Sequence, residues 1–115
     1  MPYTTVGRNK MLDALGITHV SAHSADPGEA GTNEISGGSY ARKSITFSAA
    51  DAGALDSSNV PVLDIPAGAE VEYLGYWSAE TGGVFLASSA ITKETYANPG
   101  TLTVTDADLD LNLVA

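Results

Sequence analysis

Two histidines are the first side chains in this sequence whose type and spacing suggest chemistry, because imidazole nitrogens bind metal ions. His19 and His23 are four residues apart. On a strand they would share one face, about 13 Å apart at a rise of ~3.3 Å per residue. Both rings could not then approach one zinc ion to the ~2 Å that a zinc–nitrogen bond requires. We therefore interpret them as strand histidines with ordinary hydrogen bonds.

A second candidate for metal binding is the acidic run Asp-Ala-Asp-Leu-Asp-Leu-Asn at 106–112. A calcium loop counted from Asp106 would need glycine at its sixth position and glutamate at its twelfth. Leu111 takes the sixth position, and the sequence stops before the twelfth. The alternation instead predicts a strand with its acidic side chains on one face and its leucines directed to the core. No metal site is expected here either.

Catalytic constellations are equally unspecific. Serines, aspartates and the two histidines could form a hydrolytic triad, but no nucleophile elbow is present. The glycines at 28, 31, 37 and 38 match neither a Walker loop nor a dinucleotide fingerprint, and no lysine follows them. Cysteine is absent, which excludes thiol catalysis and zinc–thiolate sites. The sequence therefore predicts no catalytic residues, no cofactor and no enzymatic activity.

The overall charge narrows the class of partner. The 115 residues carry 14 acidic and 5 basic side chains, a net charge of −9. Such a surface repels phosphate backbones, so nucleic-acid binding is not expected. No apolar run reaches the ~20 residues that span a membrane, and the N-terminus is not a secretory signal, so we expect no membrane association and synthesis in the cytoplasm. The length fits a single domain over residues 1–115.

Residues that favour β-strands recur in segments bounded by Gly, Pro, Asn and Asp, which predicts an all-β fold. We expect a compact antiparallel β-sandwich of about seven strands with one short N-terminal helix. The helix lies within residues 1–16, where Thr4 or Thr5 can cap it and Gly16 can end it. The predicted strands cover 17–24, 40–49, 60–65, 70–79, 84–90, 101–105 and 107–114.

The segment 70–79 is the clearest of these strands. Alternation places Val71, Tyr73, Gly75 and Trp77 on one face and Leu74 and Tyr76 on the other. Large residues on both faces predict a central strand. Tyr76 and Trp77 can both belong to a two-sided core, or one of them can lie on the surface, where aromatics favour interfaces. Residues 80–83 predict a hairpin turn in which both glycines adopt positive φ.

The elements leave a long glycine-rich loop at 25–39. Loops beyond about 12 residues in a compact domain tend to be functional or disordered, so we interpret this one as an interaction element. The residues that we select as the candidate interface are Asp26, Asn33, Glu34, Tyr40, Arg42, Tyr76 and Trp77.

The order of these segments resembles a family of small virion proteins of tailed phages. The resemblance covers residues 9–114. Its most specific pieces are His23 with the turn Ala25-Asp26-Pro27-Gly28, Gly31, Asn33-Glu34, Gly37-Gly38-Ser39-Tyr40-Ala41-Arg42, Gly75-Tyr76-Trp77 and Thr81-Gly82-Gly83. Members of the family are labelled capsid decoration or minor capsid proteins, and also tail-fibre or minor tail proteins.

The resemblance implies a β-sandwich that assembles on the phage particle without enzymatic activity. The sequence shows no collagen-like or coiled-coil shaft, which favours a capsid decoration protein that binds the major capsid protein and stabilises the head shell. The alternative is a minor tail or tail-fibre protein involved in host attachment. The implied location is the virion surface, on the head rather than the tail. A homo-oligomer, as a closed trimer, is expected, with the 25–39 loop as a contact arm that orders on docking.

Three classes of function therefore follow. A capsid-binding module should bind head shells, and a tail module should bind host cells through exposed aromatics such as Tyr76 or Trp77. A small hydrolase should have a pocket that joins His19 or His23 to a carboxylate within hydrogen-bond reach.

Overall fold

The fold was obtained as a computed structural model, which describes residues 4–49, 54–104 and 108–110. One helix and eight strands are formed within these ranges. In chain order they are α1 (Thr5–Asp13), β1 (His19–His23), β2 (Lys43–Ser44), β3 (Ala54–Asp56), β4 (Val62–Ile65), β5 (Glu70–Trp77), β6 (Phe85–Thr95), β7 (Gly100–Thr103) and β8 (Asp108–Asp110). The predicted all-β class with a single short helix is confirmed.

Helix α1 begins where the sequence predicts and ends at Asp13, before the predicted stop at Gly16. The Thr4 hydroxyl accepts a hydrogen bond from the Gly7 N–H at 3.0 Å, as an N-cap does. Gly16, three residues beyond the helix, has φ of 72°, a left-handed conformation that glycine adopts without strain. Among the described residues, no helix has the length and apolar character needed to cross a membrane.

The strands form antiparallel sheets, the largest of which has the order β2-β1-β5-β6. Strand β5 is central, as predicted, because β1 pairs along one edge and β6 along the other. Strands β4 and β7 form a two-stranded sheet, and β3 and β8 form another. The backbone of β8 confirms a strand at 108–110, while the rest of the acidic run at 106–112 lies outside the described residues.

The main core lies between the four-stranded sheet and the β4–β7 pair. Val20 and Ala22 of β1 pack there with Leu63 and Ile65 of β4, and all four are buried. Each of these pairs is spaced by two residues, so alternation directs both members to one face of their strand. The remaining buried members of this cluster are Ile35, Ile45, Val71, Leu74, Tyr76 and Val104.

Strand β5 corrects one detail of the predicted alternation. Leu74 and Tyr76 belong to the main core, but so does Val71, which simple alternation places on the opposite face. The pairing of β5 with β6 shifts register between Val71 and Tyr73. Between these pairs β5 advances by two residues and β6 by four, so the extra residues of the bulge lie on β6, next to Val71.

The predicted strand at 40–49 is much shorter in the structure. Only Lys43–Ser44 pairs with β1, and Phe47 makes an isolated bridge to Ser57. The Asn59 side chain supplies the missing partners: its Oδ1 accepts from the Thr46 N–H at 2.9 Å, and its Nδ2 donates to the Ser44 carbonyl at 3.1 Å. A side-chain amide that satisfies backbone groups replaces a ladder, so the strand does not continue.

The connection between β5 and β6 also differs from the predicted turn. Gly82 and Gly83 have φ of 61° and 74°, which confirms the positive φ expected at both. The connection spans residues 78–84, however, and the Ser78 hydroxyl accepts from the Val84 N–H at 2.8 Å. Strand β6 then continues to Thr95, beyond the predicted end at 90.

Candidate functional site

The face of the β1–β5 pair opposite the main core carries polar side chains. Alternation along β1 directs Ser21 and His23 to this face, and alternation along β5 directs Gly75 and Trp77 to it. Ser21 lies directly opposite Gly75 in the register. An alanine Cβ at Gly75 would collide with both the Ser21 hydroxyl and the His23 ring, so only glycine leaves room for the two polar side chains.

Trp77, Ser21, His23 and Thr32 form a continuous hydrogen-bonded chain, here called the Ser21–His23 network. Trp77 Nε1 donates to Ser21 Oγ at 2.8 Å, and Ser21 Oγ lies 2.6 Å from His23 Nε2. His23 Nδ1 lies 2.7 Å from the Thr32 carbonyl oxygen. A carbonyl can only accept, so Nδ1 carries the proton and Nε2 accepts from the Ser21 hydroxyl.

Burial keeps the His23 imidazole neutral. Desolvation lowers the pKa of His23 below its ordinary value of 6.5, against the opposing effects of the Thr32 carbonyl and the Glu34 carboxylate. Protonation would place a second N–H against the Ser21 hydroxyl, which already accepts from Trp77. The network is therefore matched to the neutral tautomer of His23.

A serine hydroxyl bonded to a histidine nitrogen is the arrangement of a nucleophile and its general base. Here, however, Ser21 and His23 are both 0% exposed, so substrate has no access to the hydroxyl in this state. The group that orients His23 is the Thr32 carbonyl rather than a carboxylate. The geometry supports a role in holding the loop that carries Thr32 against the sheet.

Acidification should test this assignment. The pKa of His23 is lowered in the folded protein, so the ring is neutral in both the folded and the unfolded state well above pH 6.5. As the pH falls, the ring takes up a proton in the unfolded state first. Stability should therefore decrease below pH 6.5, with a limiting slope of about 1.4 kcal/mol per pH unit for one proton. Urea unfolding between pH 7.5 and 5.5 measures this slope. The window stays above the range in which carboxylates titrate.

His23→Gln should remove most of that slope, whereas the matched change His19→Gln should leave it in place. Titration of the His23 ring by NMR in the unaltered protein gives a second reading that does not depend on a variant folding. A ring that titrates at or above 6.5, or a slope that persists in His23→Gln, would contradict the assignment.

Beside this network, three of the predicted interface residues meet in one cluster. Arg42 binds Glu34 with two parallel hydrogen bonds, from Nε to Oε2 at 3.0 Å and from Nη2 to Oε1 at 2.9 Å. The Tyr40 hydroxyl donates to Glu34 Oε2 at 2.8 Å and accepts from the Ala22 N–H at 3.0 Å. Two-point binding of this kind fixes orientation as well as distance.

The pKa values reflect how closely these groups are held. Burial alone would raise the pKa of the Glu34 carboxyl, but the hydrogen bonds from Arg42 and Tyr40 outweigh it and hold the pKa below its usual range. Burial, together with the Glu34 carboxylate, strongly raises the pKa of Tyr40, so the phenol stays protonated and can donate. Glu34 is therefore the ionised acceptor of the cluster.

Arg42 also connects the cluster to the β5–β6 connection. Its Nη1 donates to the carbonyl oxygens of Ala79 at 3.2 Å and Gly82 at 2.9 Å. Its Cζ lies 3.6 Å from the centre of the Trp77 ring, close enough for a cation–π contact. One guanidinium thus joins the 25–39 loop, the 78–84 connection and strand β5.

The 25–39 loop is folded against the body of the protein. Strand-like bonds join its residues 33–35 to the end of β1 and the residue after it, from the Ser24 N–H to the Asn33 carbonyl and from the Ile35 N–H to the Ala22 carbonyl, each at 2.9 Å. Pro27, near its start, is buried. Bonds within the chain therefore already shape the loop, and its role as a contact arm that orders on docking stays a prediction.

The remaining predicted interface residues divide into two groups. Asp26 and Asn33 are exposed, and they hold the loop turn through the Gly28 N–H to Asp26 Oδ1 bond at 2.9 Å and the Asn33 Nδ2 to Asp26 carbonyl bond at 3.1 Å. Tyr76 is 0% exposed and Trp77 8%, so neither presents its ring to a partner. The two-sided core interpretation is correct, and their selection as interface residues is corrected.

Sequence reasoning did not select Ser21, Gly31 or Gly75 as functional residues. The spacing of Ser21 and His23 by two residues on a strand could have identified the pair. Gly31 is buried under Trp77 and Phe85, whose rings meet edge to face with centroids 5.0 Å apart. Nothing in the sequence indicates that approach, because it joins segments almost fifty residues apart.

Comparison with known protein families matches nearly the whole chain. No curated protein matches the chain. A family model described as Podophage GP4 fiber I protein gp80 matches residues 4–112, which is nearly the whole sequence. This agrees with the resemblance to small virion proteins of tailed phages and supports a structural role in the virion. The chain belongs to the family described as Podophage GP4 fiber I protein gp80.

Proposed function

We propose that this protein is a structural component of a phage fibre. The observation that carries the proposal is the family match over residues 4–112, whose description names a fibre protein. The sequence alone favours capsid decoration, because it shows no shaft. The family description gives more direct support to the alternative, a tail-fibre protein.

The geometry of the described residues supports a structural function over a catalytic one. Ser21 and His23 are buried. The Arg42 guanidinium donates its hydrogen bonds to the Glu34 carboxylate and to two backbone carbonyls. These groups join loops to strands, and in the surface pocket that Glu34, Tyr40 and Arg42 line beside Glu80–Gly82 the charges of Glu34 and Arg42 are paired with each other. We therefore propose that the protein acts by assembly and contact, without turnover of a substrate.

Host contact, if this protein makes it directly, should use the exposed turn of the 25–39 loop rather than the buried aromatic pair. Asp26 and Asn33 lie on that turn with their side chains at the surface. The backbone of the turn is fixed by internal hydrogen bonds, so a partner would meet a formed surface. The turn would then lose little conformational entropy on binding.

Labelling intact particles tests the proposal directly. Antibodies against the folded protein, each coupled to gold, should mark the fibres in electron micrographs of virions. Gold distributed over the head shell would instead support capsid decoration, and the absence of gold from particles would overturn a virion role. Particles of a phage that lacks the corresponding gene serve as the control for non-specific labelling.

A thermal-shift series separates the possible partners. A ligand that binds only the folded state raises the melting temperature according to its concentration and affinity. Purified fibre or tail fractions should stabilise the protein, and emptied head shells should not. Stabilisation by head shells alone would contradict the fibre assignment.

A further inference from the structure

Strand β6 leaves one edge without a partner among the described residues. It is the last strand in the order β2-β1-β5-β6 and pairs only with β5. Its range, Phe85–Thr95, makes it the longest strand of the described fold. An edge strand presents a row of free N–H and C=O groups, which is a template for adding another strand.

Two other strand edges of this protein are protected in ways that β6 is not. Strand β2, at the opposite edge of the same sheet, has only two residues, and β4 is bounded by Pro61 and Pro66. Short strands and prolines both discourage pairing with another chain. Strand β6 contains no proline or glycine, and no charged residue precedes Lys93 along it.

Charge distribution indicates where two copies of this chain could approach. With a net charge of −9, most of the surface repels a second copy. The stretch 85–92 of β6 is uncharged, and its middle consists of Ala87, Ser88, Ser89 and Ala90, whose small side chains permit close approach of two backbones. The four residues also pair one for one with β5, between two register shifts, so this is the regular part of the strand.

We propose that the free edge of β6 pairs antiparallel with β6 of a second copy of this chain, about a two-fold axis that passes between the two copies of Ser88. A two-fold axis perpendicular to the sheet places the same stretch of both copies side by side, edge to edge. Lys93 and Glu94 of each copy then lie away from the axis, on opposite sides, so like charges do not meet. The two four-stranded sheets become one continuous sheet across the pair.

This arrangement differs from the closed trimer expected from the sequence, because pairing of an edge with itself produces a dimer. A second copy of the chain would give a fibre component a partner for assembly. The pairing rests on the free edge of β6 and does not depend on the fibre assignment. Gold labelling of fibres and the association of purified protein are separate measurements, so either proposal can fail alone.

Sedimentation velocity of the purified full chain over the micromolar range tests the pairing. The unaltered protein should shift from monomer to dimer as its concentration rises. Ser88→Lys and Ser88→Glu, made separately, should each remain monomeric, because two like charges would face each other near the axis. Mixing the two variants should restore the dimer, because opposite charges then meet.

Thr101→Lys is the matched control, since it places the same charge on an exposed position of β7. It should leave the dimer unchanged. Circular dichroism identifies any variant that fails to fold, and restoration in the mixture requires that both Ser88 variants be folded. A protein that stays monomeric at all concentrations, or a dimer or trimer that Ser88→Lys does not disturb, would overturn the proposal.

Discussion

Gly31→Ala should destabilise the protein by about 2–4 kcal/mol, through strain and a collision that act together. Gly31 has φ of 74°, which costs a residue with a Cβ about 1 kcal/mol. An added Cβ would lie 2.5 Å from Trp77 Cη2 and 2.9 Å from Phe85 Cδ1. Such distances are well inside van der Waals contact, so one of the rings or the loop must move.

The tryptophan cannot move without breaking other contacts. Its Nε1 is bonded to Ser21, and the Arg42 guanidinium lies over its ring. Displacement of the ring would therefore disturb the Ser21–His23 network and the cluster of Arg42, Glu34 and Tyr40 at once. This coupling is the reason that we expect a cost above the ~1 kcal/mol of backbone strain alone.

Gly28→Ala is the matched control. Gly28 lies in the same loop with φ of 63°, but a Cβ there would have no heavy atom within 4 Å. It should cost about 1 kcal/mol, from strain only. Urea unfolding followed by tryptophan fluorescence measures both variants, and because Trp77 is the single tryptophan, the signal reports on the cluster itself. Equal costs for the two variants would show that the ring does not enclose Gly31.

Arg42→Lys should also destabilise the protein strongly, by about 2–3 kcal/mol, although it keeps the charge. Lysine lacks the planar fork that binds both oxygens of Glu34, and its single ammonium cannot also reach the carbonyls of Ala79 and Gly82. This loss of unfolding free energy is smaller than the full cost of breaking a buried ion pair, because the Glu34 side chain is 23% exposed.

Lys43→Met is the control for this prediction. Lys43 is bound to Asp64 at 3.7 Å, and both side chains are more than 40% exposed. Its loss should cost no more than about 1 kcal/mol, as is usual for surface ion pairs. A double-mutant cycle with Arg42→Met and Glu34→Gln then measures the coupling of the pair. A coupling as small as that of a surface pair would refute the role of Arg42 in holding the loops.

Much of the fold follows from local patterns. The central position of β5 was predictable because large residues occupy both of its faces, and the N-cap at Thr4 and the left-handed glycines followed from residue type. The strand predicted at 40–49 is too long, because the Asn59 amide takes up backbone groups of Ser44 and Thr46, and Asn59 lies more than ten residues further along the chain. Alternation along β5 does not predict that Val71 joins the main core, because that contact depends on how other segments pack around this end of the strand.

The candidate site shows the same division. The sequence alone determined the class of fold, the acidic surface and which residues could be polar anchors, because alternation, charge and turn preference act over a few neighbouring positions. Only the tertiary structure decided that Tyr76 and Trp77 are buried, that Arg42 binds Glu34, and that Ser21 and His23 join Trp77 to the loop. Those contacts connect segments that are distant along the chain, and their geometry is set by the packing of strands against loops, which no local pattern encodes.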